Sequence, residues 1–281
     1  MALKDILVHL DGSKQTEARL RLGANLARKH GAHLAALYVV DIELPLIASA
    51  DAGGGIAMAG IIDQMREQAL AEAAKAEAMV HDRSRMDGLS IEWRLVEGVA
   101  VEQVALHARY ADVVIVGQHD PDGSNPQATA IVEHVLFSAG RPVLVVPYAG
   151  EHPVAGNRVL VGWKPSREAA RAVNDALGIL SKAEMATVFS VNPKNGIDAH
   201  GEEPGADIAL HLARHGIKVE VEHTVAPDVA DADILLNQAS EMSADLIVIG
   251  AYGHSRIREM VLGGVTRTLL KQMTVPVLMS H

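Results

Sequence analysis

The chain has 281 residues, 49% of them hydrophobic and 21% charged, with 25 basic against 35 acidic residues for a net charge of −10. This is a globular composition, long enough for one large or two ordinary domains. An acidic chain with two Trp, four Tyr and two Phe lacks the charge to hold a duplex and the rings to stack bases, which sets nucleic acid aside as a partner. The lack of cysteine removes disulfides, thiolate zinc sites, iron–sulfur clusters and cysteine nucleophiles, and fits a reducing compartment.

The opening MALKDILVHLDGS carries Asp5 and Asp11 and has no apolar core of a signal peptide. No uncharged apolar run approaches the ~20 residues of a bilayer span, so a soluble, cytoplasmic protein with no membrane partner is expected. ILVHL reads as a first strand ending at Asp11-Gly12-Ser13. Residues 17–29 then place Leu20, Ala24 and Ala27 on one helical face, with Ser13 as the expected N-cap. A second strand, GAHLAALYVVD, leads into residues 42–61, whose ADAGGGIAMAG stretch suits a mobile flap better than a core element. An Ala/Glu/Lys helix is expected over roughly 62–86, with Met65, Met79 and Met86 as packing residues. DVVIVG (112–117) and RPVLVVP (141–147) close the first half.

The series then repeats. RVLVGWKPS (158–166) matches DILVHLDGS, DLIVIG (245–250) matches DVVIVG, and VPVLMSH (275–281) matches RPVLVVP, in the same order. A helix over 166–182 carries Ala170, Val173, Leu177 and Leu180 on one face, with Ser166 as N-cap. This is a tandem duplication, read as domains 1–150 and 151–281 with the join near 148–157. The Val/Ile-rich runs lack polar alternation, as strands buried on both faces do. Each half therefore reads as an α/β domain, β-α-β-α-β-α-β-α-β, a doubly wound parallel sheet flanked by helices.

Ligands of such sheets bind beyond the C-terminal strand ends at the switch point, here the loops after the first and fourth strands. In the second half the fourth strand is followed by Gly250-x2-Gly253-x9-Gly263-Gly264, then Val265 and Thr266. Glycines let backbone N–H groups approach phosphate oxygens, and the last helix offers its N-terminus to negative charge. His254, Arg256 and Arg258 add positive charge between the glycines. The competing explanation is that glycines after a strand serve tight turns with positive φ. The patterns G-x4-GK[ST] and GxGxxG after the first strand are absent, as are G-x-S-x-G and HExxH. Asp207, His211 and His215 recur at i, i+4 and i+8; they form either a solvated polar stripe or, as the less favoured reading, a zinc-type chelate.

These segments together resemble the universal stress protein family, as two family domains in tandem over nearly the whole chain. The resemblance rests on ILVHLDGS, GAHLAALYVVD, the glycine spacing after IVIG and the last strand VPVLMSH. It implies five-stranded sheets of order 3-2-1-4-5, domain pairing through the last strand, and binding of ATP or a related adenine nucleotide (ADP or AMP, with or without Mg). Carried over residue by residue, Gly162, Trp163 and Lys164 lie against the nucleoside and Val191 touches the base. Ile249, Gly250, Gly253, Gly263, Gly264, Val265 and Thr266 hold the phosphates, with His254 and Arg256 between them. Two positions depart from the family: Lys164 stands where Asp is usual, and Gly264 where Ser or Thr is usual. The second change removes a hydroxyl donor worth roughly 0.5–1.5 kcal/mol.

The first half keeps Asp11-Gly12-Ser13, but Asp120 stands at the place of Gly253, and Asp120 and Asp122 repel phosphate; loss of nucleotide binding is expected there. The leading reading is a cytoplasmic tandem stress protein that binds adenine nucleotide in its second half as a sensor or regulator. It is expected to be a homodimer with protein partners still to be identified. The rivals are a nucleotide-free scaffold or chaperone-like interaction protein and, third, a slow ATPase with no identifiable water-activating residue. Finally, 143–147 and 276–280 each end a sheet and carry no charge to protect an open edge. Antiparallel pairing of the two edges within one chain is therefore expected.

Overall fold

A computed structural model describes residues 2–42, 54–123, 125, 127–193, 203–251 and 264–281. The first half runs β1 (Asp5–Leu10), α1 (Thr16–His30), β2 (His33–Val40), α2 (Gly54–Asp87), β3 (Ile91–Glu97), α3 (Ala100–Ala108), β4 (Val113–Gly117), α4 (Ala128–Ser138) and β5 (Val143–Val146). The second runs β6 (Arg158–Gly162), α5 (Arg167–Leu180), β7 (Met185–Val191), α6 (Ala206–Arg214), β8 (Val219–Thr224), α7 (Asp231–Glu241), β9 (Leu246–Gly250), α8 (Gly264–Gln272) and β10 (Val277–Ser280).

Each half has the order 3-2-1-4-5, and the halves share one ten-stranded sheet, β3-β2-β1-β4-β5-β10-β9-β6-β7-β8. All pairings are parallel except the seam, where β5 and β10 run antiparallel with Val145 opposite Val277, Leu144 opposite Leu278 and Val143 opposite Met279. All six of these side chains are fully buried, so the uncharged edges expected from the sequence cover one another. The outer strands β3 and β8 are only partly buried and carry Glu92, Arg94, Glu220 and Glu222, charges that discourage further strand addition.

Two apolar layers cover the sheet, and both cross the seam. One packs α1, α2, α5 and α6 on one face and includes Leu144 and Leu278. The other packs α3, α4, α7 and α8 and includes Val145 and Val277. Helix α1 ends where Gly31 takes a left-handed conformation (φ 60°) and donates its N–H to the Ala27 and Arg28 carbonyls.

Three local expectations are corrected. Met86, expected to pack, is exposed near the end of α2. Helix α2 begins at Gly54, so the later part of the 42–61 stretch is helical and not flap; residues 43–53 lie outside the described residues. Ile56 to Ala59 are acceptable helix formers, and propagation from the Ala/Glu-rich turns costs far less than a new nucleus. Ser13 does not cap α1: the residue before the helix is Gln15, with no side-chain cap. Ser13 instead donates its N–H (3.0 Å) and hydroxyl (2.5 Å) to Asp11 Oδ1, an Asx-type turn that delays the helix start. Ser166 does cap α5, its Oγ accepting the Ala169 N–H at 3.2 Å.

Candidate functional site

The two halves treat the same crevice differently. In the second half, β6 and β9 are parallel neighbours with Gly162 opposite Ile249. The chain leaves β6 toward α5 and β7, and leaves β9 toward α8 and β10, so their C-terminal ends form the switch point. A Cβ on Gly250 would fall 2.4 Å from the Ala169 nitrogen and from the Glu168 carbonyl carbon: the first turn of α5 lies directly on the end of β9. A Cβ on Gly162 would meet Ile249 Cγ2 at 3.0 Å and Leu235 Cδ2 at 3.2 Å. Trp163 extends the ladder, its N–H donating to the Phe189 carbonyl at 2.8 Å, and its ring packs on the α5 side of the core. The Lys164 carbonyl accepts from Ser166 N–H at 2.7 Å, turning the chain into α5.

Helix α8 opens at Gly264, where a Cβ would meet no described residue within 4 Å; Thr266 is buried and Val265 packs on the core. Val191 ends β7, two residues beyond Phe189, the partner of Gly162. Gly162, Ile249 and Gly250 are thus brought together, and Trp163, Lys164, Val191 and the start of α8 belong to strand and helix ends on the same side of the sheet. Gly253, His254, Arg256 and Gly263 lie outside the described residues. The sequence reading missed Glu168, a buried acid in the first turn of α5. Burial opposes its ionisation, but bonds from Arg167 and Ser166 outweigh that and hold the carboxyl below its usual range.

In the first half the corresponding crevice is filled by the protein's own side chains. Asp11 Oδ1 accepts from Ser13, from Thr16 Oγ1 at 2.8 Å and from Arg19 Nη2, and Asp11 Oδ2 accepts from Asn125 Nδ2 at 2.8 Å. Burial resists the charge, yet Arg19, His9, Ser13 and Asn125 together hold the Asp11 carboxyl far below the usual carboxylate range. The Arg19 guanidinium lies against Gly117, where a Cβ would be only 2.1 Å from Nη1. The sequence held a signal for this plug: Arg19 sits three residues from Thr16 and four from Gly23, on the buried face of α1. The matching position on α5 is Ala172, fully buried among apolar neighbours.

A second device ties the halves together beyond the seam. Gln118, buried directly after β4, donates from Nε2 to the Leu270 carbonyl of α8 at 2.9 Å. Its Oε1 accepts from Tyr148 N–H at 3.0 Å. From the end of β10, His281 stacks edge-on against Phe137 of α4, with ring centroids 4.9 Å apart. A cavity of about 460 Å³ along α2, lined by Met65, Gln68, Ala69, Ala71 and Glu72, shares no residue with either crevice. The His211 and His215 rings meet edge-on at 4.8 Å. Among the described residues no group of three or more His, Asp or Glu is disposed to hold a metal ion, and no helix is long and apolar enough to cross a membrane.

Two doubly wound halves joined edge to edge, each with a crevice at its switch point, define the class, and comparison with known proteins names it. The model of the universal stress protein family matches residues 2–147 and again 156–281, so the chain belongs to that family, as two copies in tandem. The curated universal stress protein Slr1230 of Synechocystis is 24% identical over 292 residues, covering 98% of this chain and 99% of that protein. A universal stress protein from Archaeoglobus fulgidus superposes with a TM-score of 0.70 at 19% identity, over 98% of this chain and 95% of that one. The functionally unknown protein PA1789 from Pseudomonas aeruginosa follows at a TM-score of 0.57 and 17% identity, over 99% and 92%. At these identities the solved structures speak for the fold alone.

Proposed function

We propose that this tandem universal stress protein binds one adenine nucleotide (ATP, ADP or AMP, with or without Mg) in its second half, and acts as a cytoplasmic sensor or regulator with at most slow hydrolysis. One observation carries the reading: a single crevice, present twice, is plugged by Arg19 and Asp11 in one copy, whereas among the described residues the other copy has Lys164 and Ala172 at those places. In the first half Asp11 has both oxygens engaged and Arg19 fills the space against Gly117. In the second half the matching residues are Lys164 and Ala172, and the strand and helix ends carry Gly162, Gly250 and Gly264. Backbone N–H groups at such ends suit phosphate oxygens. Gly162, Trp163, Lys164 and Val191 serve the nucleoside in this reading; Ile249, Gly250, Gly253, Gly263, Gly264, Val265 and Thr266 serve the phosphates, with His254 and Arg256 beside them. No water-activating residue is identified, so hydrolysis is slow if it occurs. Homodimer assembly and contact with protein partners belong to the same reading.

The test is mass spectrometry of gently purified protein together with calorimetry. Co-purified ATP, ADP or AMP, with binding abolished by Gly253→Asp (which copies Asp120 of the first half) while the fold is kept, supports the proposal. Failure to bind at millimolar nucleotide leaves the scaffold reading, which the plugged first half favours for that half alone. Nucleotide found against Asp11 and Gly117 would reverse the assignment of halves.

A further inference from the structure

We infer that Lys164 makes the second crevice select its ligand by negative charge and not by base, so that its ligand class is a nucleoside polyphosphate whose base is read weakly. This rests on the nucleotide reading of the crevice given above.

The duplication supplies an internal comparison. Asp11 and Lys164 hold the same place in the repeat DILVHLDGS/RVLVGWKPS, and Arg19 and Ala172 hold the same place on the helix that follows. In the first half the two charges cancel within a buried pair. In the second half both members have changed: a cation stands where the carboxylate stood, and a methyl group where the guanidinium stood. Ala172 is 1% exposed among apolar neighbours, so that side of α5 offers no counter-ion. Glu168, the nearest acid along the chain, is engaged by Arg167, and among the described residues Lys164 forms no ion pair. Lys164 is exposed, so its charge faces solvent and is available to a bound anion.

The exchange also reverses hydrogen-bond polarity. A carboxylate only accepts, which suits the adenine amino group, a donor, and ribose hydroxyls when they donate. An ammonium only donates: it cannot accept from the adenine amino group, ribose hydroxyl oxygens can still accept from it, and its strongest match is the charged phosphate oxygens. A neighbouring element points the same way. Helix α8 has no acid in its first turn, and a Cβ on its first residue, Gly264, would meet no described residue within 4 Å. Helix α5 also lays its N-terminal turn on the end of β9, but that turn is capped by Ser166 and carries the Glu168 carboxylate, so the favourable helix end is that of α8. Adding phosphates therefore adds binding, whereas changing the base changes little.

The experiment is competitive titration of the full chain, read by calorimetry and by the fluorescence of Trp163, the residue before Lys164. The probes are adenosine, AMP, ADP, ATP, GTP and inorganic tripolyphosphate. Affinity is expected to climb at least about tenfold from adenosine to ATP and to weaken with added salt. GTP should fall within about threefold of ATP, with tripolyphosphate competing, because a phosphate-directed ammonium does not read the base. Lys164→Asp should flatten the phosphate ladder and raise the preference for adenine over guanine, while Lys164→Arg keeps the native ranking and shows that the position tolerates change. Adenosine binding as tightly as ATP, or a ladder that survives Lys164→Asp, overturns the inference and leaves the nucleotide reading standing. Absence of all binding, tripolyphosphate included, overturns both.

Discussion

Arg19 and Asp11 form an ion pair almost wholly withdrawn from water, with side-chain exposures of 2% and 15%. Such a pair contributes little net stability against a well-packed apolar alternative, but losing one member leaves a buried charge uncompensated. Arg19→Ala should therefore cost about 3–5 kcal/mol, measured by urea unfolding. Pairing it with Asp11→Ala should recover a large part of the loss. A double variant as unstable as the single one would show that Arg19 acts by packing and not by charge.

Acid should weaken the fold well before the carboxylates titrate. Burial lowers His9 to about 4 with Arg19 assisting and Asp11 opposing, and lowers His30 to about 4 with Lys182 and Lys29 adding to the effect. Both ring nitrogens of His30 lack hydrogen-bond partners. Unfolded, each ring takes a proton near 6.5, so between about 6.5 and about 4 the unfolded chain binds protons that the native chain does not. Stability should fall through that window by on the order of 1–3 kcal/mol per histidine and level off for these groups below it. Asp11, held low, adds a loss that begins only below its unfolded value of about 3.9. Unfolding curves at about pH 7, 6, 5 and 4.5 should show the decline, and His30→Gln should make it shallower. A flat profile over that range would contradict the burial of both rings.

Two glycines of the second crevice should respond in opposite ways. Gly250→Ala places a methyl 2.4 Å from the backbone of α5, which must move; a destabilisation of about 1–3 kcal/mol is expected, as for other overpacked sites. Gly264→Ser places a Cβ that meets no described residue within 4 Å and adds a hydroxyl at the start of α8. It should leave the unfolding midpoint unchanged within error and tighten nucleotide binding by roughly three- to tenfold, the equivalent of one hydrogen bond. Equal effects of the two changes on stability would show that the strand end is less tightly covered than the 2.4 Å approach implies.

Charge introduced at the seam should open it. Val145 and Leu278 are fully buried on β5 and β10, and lysine at both places puts unpaired ammonium groups between the halves. Small-angle scattering should report a larger radius, or the protein should aggregate through the bared edges. An unchanged radius with native stability would mean that the helical layers and Gln118 hold the halves together without the strand pairing.

The strands, their order of appearance and the duplication were legible because buried parallel strands read as unbroken Val/Ile runs, and the repeat supplies each run twice. The seam followed from edge strands that lack any charged guard. The Arg19 plug was not read, although Arg19 falls on the buried spacing of α1: nothing local says whether an arginine on that stripe turns outward or finds an internal carboxylate. Gln118 left still less trace, since its partners Leu270 and Tyr148 are a main-chain carbonyl and a main-chain amide supplied by distant segments. Ser13 and Ser166 looked equivalent as caps. They differ because the residue two places before Ser13 is an acid that captures it, whereas Lys164 cannot.

The antiparallel β5–β10 seam also governs what the two halves can do over evolutionary time. Tethering replaces a bimolecular encounter by an effective concentration in roughly the millimolar range, so each half meets its own sibling before it meets a stranger. Stoichiometry is then fixed at one to one whatever the expression level, and subunits cannot be exchanged with related chains. Under that constraint one copy can exchange its crevice for a salt-bridged plug while the other drifts toward a different charge, because neither is ever asked to stand in for its twin.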